Sequence, residues 1–201
     1  MDQKNSNLRN KIFSWISANS TKILIAFGIL VFLGLFVANN TYDGNGSVGS
    51  SEFNQADVMF MNMMILHHDQ AIEMAELAPN RTDNKNILEL SRNISRAQRA
   101  ENEQMAEWLR ELGYQRPRNG HRMAGMASRE QMQRLENSSG REFDLLFSEL
   151  MITHHRGGIQ MAQSFSQRGR NSELVEMEKG MVRAQTEEIE MMQEWRSNWT
   201  E

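Results

Sequence analysis

The stretch that decides the fold is DVMFMNMMILHHDQAIEMA, residues 57–75, because the chain repeats it 87 positions later. The second copy reads DLLFSELMITHHRGGIQMA, residues 144–162, and nine of the nineteen positions are identical. The register continues without a gap, since Glu101 corresponds to Glu188 and Trp108 to Trp195. Agreement over this length identifies an internal duplication.

Each copy predicts a pair of helices. The first pair covers residues 54–78, where Pro79 ends the helix, and residues 84–112, where Gly113 is the expected C-terminal cap. Apolar residues recur there every three or four positions. The second copy predicts helices over 141–165 and 172–199.

The two repeats, residues 54–113 and 141–200, are therefore expected to be αα-hairpins, each with one apolar stripe. Burying the stripes against each other makes an all-α four-helix bundle from two duplicated αα-hairpins. The segment 114–140 is predicted to be a long polar loop between them.

The composition of the 201-residue chain points to soft-metal chemistry. It holds 16 Met and five His but no Cys, which excludes disulfides, Cys-based metal sites and thiol catalysis. Apart from the initiator, all Met and all His lie at or beyond Met59. The net charge of −4 argues against a nucleic-acid partner.

The His-His motifs carry the candidate metal ligands. On a helix Met64, His67 and Met74 form one stripe with His68 at its edge, and the second copy repeats the pattern. Thioether and imidazole without thiolate favour Cu(I). The predicted ligands are Met64, His67, His68, Met74, Met151, His154, His155 and Met161.

Polar residues on the partner helices extend this set. Glu101 falls on the apolar side of its helix, where a carboxylate needs a partner, and a His across the bundle is the nearest candidate. Such a Glu would orient the ring or ligate the metal itself. The predicted second-shell or alternative ligands are Gln98, Glu101, Gln185 and Glu188, and a looser loop site comprises His121, Met123 and Met126.

Two other functions are compatible with these residues. In the first, the His and Glu residues form a structural polar network in an interaction or sensor module. In the second, the chain is a copper or iron oxidase, although no substrate pocket is evident. A di-iron site is disfavoured, because no Glu stands three residues before a His. We expect metal binding without turnover.

The N-terminal part predicts a membrane anchor. Residues 23–38 are uncharged and apolar, and basic residues dominate the cytoplasmic segment 1–22, so the positive-inside rule places the remainder outside the cytoplasm. A cleaved signal peptide is the alternative. Residues 39–53 are predicted to be a flexible linker, and residues 39–201 together carry a net charge near −7. The expected location of the domain is therefore the outer side of the membrane that the anchor crosses.

The quoted helix, with the stretch QRAENEQMAEWL (residues 98–109), resembles a bacterial family, the domain of unknown function 305. The resemblance covers about residues 54–199. It implies a ferritin-like four-helix protein outside the cytoplasm, with Met and His residues of the two motifs as ligands. Together with the predicted anchor, it gives the bacterial inner membrane as the expected location, with the domain in the periplasm. Some members bind copper and support copper tolerance, which implies Cu(I) buffering or delivery to a partner protein.

Overall fold

The computed structural model describes residues 52–118 and 123–200, and this part of the chain contains helices and no strand. The all-α expectation is therefore confirmed for it. Each of the four predicted helices ends within one residue of the observed position. The helices are α1 (Gln55–Leu77), α2 (Lys85–Glu111), α3 (Arg129–Asn137), α4 (Gly140–Ser166) and α5 (Ser172–Thr200).

The two repeats form two hairpins that meet along their first helices. α1 packs on α2, α4 packs on α5, and α1 also packs on α4. Phe60 near the start of α1 lies 5.8 Å from Phe165 near the end of α4, measured between ring centroids. The two His-His helices therefore run antiparallel.

Two equivalent aspartates tie each first helix to the other hairpin. The Asp57 carboxylate accepts main-chain N–H groups of Arg170 (3.1 Å) and Asn171 (3.3 Å), just before α5. Asp144 accepts the side-chain amide of Asn84 at 2.8 Å, just before α2. These buried contacts fix the register of the hairpins, because a carboxylate away from water requires donors.

The connection between the hairpins differs from the polar loop expected at 114–140, since it contains α3. The side chain of Ser128 accepts the N–H of Gln131, whose side chain accepts the N–H of Ser128 in return. Met132 and Leu135, three positions apart, are buried against the bundle. The capping box and the apolar spacing are sequence signals of a short helix, which the prediction of a polar loop did not include.

The predicted anchor at residues 23–38 lies outside the described residues. Among the helices that the structure describes, none is long and apolar enough to cross a membrane.

Candidate metal centre

The centre of the molecule is a closely packed pair of mutually tilted imidazoles, contributed by His67 of α1 and His154 of α4. Both side chains are fully buried, and their ring centroids are 3.7 Å apart at an interplanar angle of 33°. Gly158 makes room for this approach. A Cβ there would lie 3.3 Å from His67 Cε1 and 2.7 Å from Gln185 Oε1.

The hydrogen bonds of this pair fix its tautomers. His67 Nε2–H donates to the carbonyl of Ala124 at 3.2 Å, and His154 Nε2–H donates to the carbonyl of His67 at 3.0 Å. Because a carbonyl oxygen only accepts, each hydrogen is on Nε2 and each Nδ1 carries a lone pair. Both Nδ1 atoms are buried and have no hydrogen-bond partner in the described part of the chain.

The adjacent histidines follow the same pattern with carboxylate acceptors. His68 Nε2 lies 2.8 Å from Glu101 Oε2, and His155 Nε2 lies 2.6 Å from Glu188 Oε2. The Nδ1 atoms of His68 and His155 are likewise buried, with no partner among the described residues. The structure thus pairs each Glu with a His of its own hairpin, and the role of these residues towards a metal stays a prediction.

Burial keeps the central pair neutral. Loss of hydration, with the neighbouring His68 as the next cause, lowers the pKa of His67 from 6.5 to about 3. The hydrogen bond to Ala124 opposes this shift without cancelling it. The pKa of His154 is also well below 6.5, because of burial and then of His67. Neutral imidazole is the protonation state that ligates metal ions.

The four predicted methionine ligands are buried in two groups. Met64 and Met161 belong to one apolar cluster, and Met74 and Met151 belong to the other. Each group therefore takes one methionine from each repeat, as the antiparallel arrangement of α1 and α4 requires. Their exposed fractions are between 0% and 7%, so these thioethers, like the imidazoles, are shielded from solvent.

The two glutamines of the predicted set are buried on the helices that flank the centre. Gln98 and Gln185 are each 4% exposed, and each leaves Oε1 unpaired with respect to the described residues. Gln185 lies against Gly158, next to His67. These oxygens add two acceptors to the unpaired Nδ1 atoms.

The predicted loop site is only partly described, because His121 lies outside the described residues. Met123 and Met126 are half-buried, and Met123 packs against the cluster that contains Met64 and Met161. Within residues 52–118 and 123–200, no three side chains of His, Asp or Glu are arranged to hold a metal ion.

Two residues that the structure makes notable were not singled out from the sequence. Gln70 contacts the loop before α3, and Glu178 is a buried acid on α5. Each stands where the other repeat has a different kind of residue, Gly157 and Ser91 respectively. A break in the internal repeat was the signal that would have found them.

Comparison with known proteins places these features in a family. The family profile described as "Domain of unknown function (DUF305)" matches residues 57–196. The chain belongs to the DUF305 family. That confirms the resemblance drawn from the two His-His motifs. No curated protein matches the sequence.

Solved structures give the same assignment. A DUF305 protein of Streptomyces coelicolor is 30% identical, with a TM-score of 0.65, over 68% of this chain and 89% of the other. A DUF305 fragment from Deinococcus radiodurans is 25% identical, with a TM-score of 0.67, over 73% and 98%. CopM in its Cu(I)-bound form is 29% identical, with a TM-score of 0.63, over 71% and 96%.

Proposed function

We propose that this protein binds Cu(I) at the centre of its duplicated helices and buffers or delivers the ion outside the cytoplasm, without turnover. The ligands would come from the imidazole Nδ1 atoms and the buried thioethers, in a ferritin-like bundle attached to the inner membrane by residues 23–38. A recipient protein would take the ion onward.

The observation that carries the proposal is the set of four buried Nδ1 atoms that find no partner among the described residues. A buried polar atom without a partner costs about 1–3 kcal/mol, so four of them are a large penalty for a purely structural network. Each ring is already oriented through Nε2, which is how ligating histidines are held in metal sites. The donor set fits a soft ion, because imidazole and thioether are both suitable for Cu(I).

Relatives support the choice of metal and location. CopM has been solved with Cu(I), with Cu(II) and with Ag, and the last ion is a common substitute for Cu(I). The Streptomyces coelicolor relative is described as a predicted secreted protein. Both statements concern those proteins, and they make an extracytoplasmic copper site the leading hypothesis for this chain.

The test is Cu(I) titration of the purified chain against a competing chelator. The variant His67→Phe/His154→Phe keeps two closely packed rings but removes both central Nδ1 atoms. We expect its Cu(I) affinity to fall at least about tenfold, the lower end of the loss seen when metal-site partners are removed. Equal binding by the variant and the unsubstituted chain would overturn the proposed centre.

The methionines have a matched control. Met64→Leu/Met161→Leu conserves volume and apolarity, so packing is largely retained while both thioethers are lost. Met59 is 56% exposed, and Met59→Leu removes a thioether away from the centre. We expect weaker Cu(I) binding from the buried pair and unchanged binding from Met59→Leu.

A structural network is the second candidate, favoured by the His–Glu contacts, which pair Nε2 without any metal. It predicts that the chain purified from copper-supplemented cells contains no copper by elemental analysis. Stoichiometric copper in that preparation excludes it.

A further inference from the structure

One short loop lies directly on the central imidazole of α1. Residues 123–127, here called the cover loop, place the Ala124 carbonyl 3.2 Å from His67 Nε2. Ala124 is exposed, whereas His67 is fully buried. The main chain of the cover loop is therefore the layer between this face of His67 and solvent.

Two glycines allow the cover loop to lie so close to α4. A Cβ on Gly157 would be 2.0 Å from the Ala124 oxygen. Gly125 has a φ of +81°, and a Cβ there would be 2.6 Å from the carbonyl of Thr153. A side chain at either glycine would push the loop away from the bundle.

Gln70 holds the other end of the cover loop from α1. Its Nε2 donates to the Ala127 carbonyl at 3.0 Å, and its Oε1 accepts the Ala127 N–H at 2.8 Å. This two-point contact fixes both main-chain groups of one loop residue. The equivalent position in the second repeat is Gly157. At this position α1 binds the loop through a side chain, whereas α4 has no side chain and so leaves space for the loop.

We propose that Gln70 is a positioning residue that keeps the cover loop closed over His67. The closed loop holds the hydrogen of His67 on Nε2 and leaves Nδ1 available. Opening of the loop is the step that exposes His67 to an arriving or departing Cu(I) ion. The metal part of this inference rests on the proposed function, whereas the positioning part does not.

The positioning part is tested on the metal-free full chain at neutral pH by ¹⁵N NMR of the His67 ring. Each hydrogen bond changes an equilibrium about fivefold, so Gln70→Ala raises the population of the open loop about 25-fold. We expect the single Nε2–H tautomer of His67 to give way to a mixture, although Gln70 itself does not contact His67.

Three further variants make this result specific. Gln70→Glu keeps the acceptor but loses the donor, so its tautomer signal should be intermediate. Gly157→Ala should release His67 from the opposite side of the loop through steric overlap. Gln160→Ala, an exposed substitution on α4, should change nothing. An unaltered His67 tautomer in both Gln70→Ala and Gly157→Ala overturns the positioning role.

The metal part is tested by transfer of Cu(I) from the loaded chain to an excess of a chromogenic chelator. We expect transfer from Gln70→Ala to be about 25-fold faster, with unchanged stoichiometry, because opening precedes release. Equal transfer rates overturn the access role. If the unsubstituted chain binds no Cu(I), the proposed function and the access role both fail, and the NMR result alone decides the positioning role.

Discussion

Acidification of the metal-free protein tests the neutral histidine pair directly. His67 has a pKa of about 3 when folded and about 6.5 when unfolded, so between these values the unfolded chain takes up a proton that the folded chain excludes. The free energy of unfolding therefore falls as the pH drops below about 6.5, and it continues to fall towards pH 3. Between pH 7 and pH 5 the loss is about 2 kcal/mol for His67.

His154 adds a loss of the same sign, since its pKa is also strongly lowered. The pair therefore loses more than the roughly 2 kcal/mol of His67 alone over this interval. That is a large fraction of the stability of an ordinary domain.

Glu178 opposes this change and has to be removed from the measurement. Burial, with Asp57 nearby, raises the pKa of Glu178 from 4.5 to about 7, so the folded state gains a proton as the pH falls through neutrality. The resulting gain from pH 7 to pH 5 is about 2 kcal/mol. In the unsubstituted chain this gain offsets part of the loss from the histidine pair.

The assay is urea denaturation followed by circular dichroism, at pH 7 and pH 5, with a chelator present. In the Glu178→Gln background we expect the full loss of more than about 2 kcal/mol, and adding His67→Phe/His154→Phe should abolish most of it. The double substitution subtracts the contribution of all other titrating groups. Equal free energies of unfolding at both pH values in the Glu178→Gln background would refute the neutral pair.

Four further predictions concern single positions. Overlap with Gln185 and His67 should cost Gly158→Ala about 1–3 kcal/mol, less a helix-propensity gain of about 0.5–1 kcal/mol, so its free energy of unfolding should fall. Gly180→Ala should raise the free energy of unfolding by about 0.5–1 kcal/mol, since no described atom outside its own helical backbone lies within 4 Å of the added Cβ. Thermal denaturation distinguishes the two glycine variants. Asp57→Asn should lower the pKa of Glu178 from about 7 towards 4.5, and a carboxyl NMR titration with an unchanged midpoint would contradict the charge effect. Glu101→Ala should weaken Cu(I) binding about 10–100-fold by freeing the adjacent imidazole, and undiminished affinity in a chelator titration would exclude that role.

Much of the fold was predictable because the sequence contains it twice. Periodic apolar positions and the Pro79 and Gly113 terminators determined the helix ends, and the constant offset paired Glu101 with Glu188 as inward-facing carboxylates. These are local or repeated signals, which survive without knowledge of tertiary packing. The packing of His67 on His154 was not predictable, because it depends on where two distant helices cross.

The cover loop could not be read from the sequence for a related reason. Its position is set by backbone contacts at Gly125 and Gly157, which leave no pattern of side-chain polarity. Ala124 contributes only its carbonyl group, and alanine carries no chemical signal of its own. The sequence predicted a thioether site in this segment, whereas the contact with His67 is made by a main-chain carbonyl.

The antiparallel packing of α1 on α4 resembles a twofold symmetric homodimer whose two subunits have been joined in one polypeptide. In a true homodimer every substitution appears twice, so a contact on one side cannot be changed without changing the symmetry-related contact. Fusion removes that restriction. It allows Gln70 to differ from Gly157, and Glu178 to differ from Ser91, while the paired His-His motifs are retained. The two halves of the centre can therefore acquire different exchange rates and proton affinities, which identical subunits could not do without breaking their symmetry.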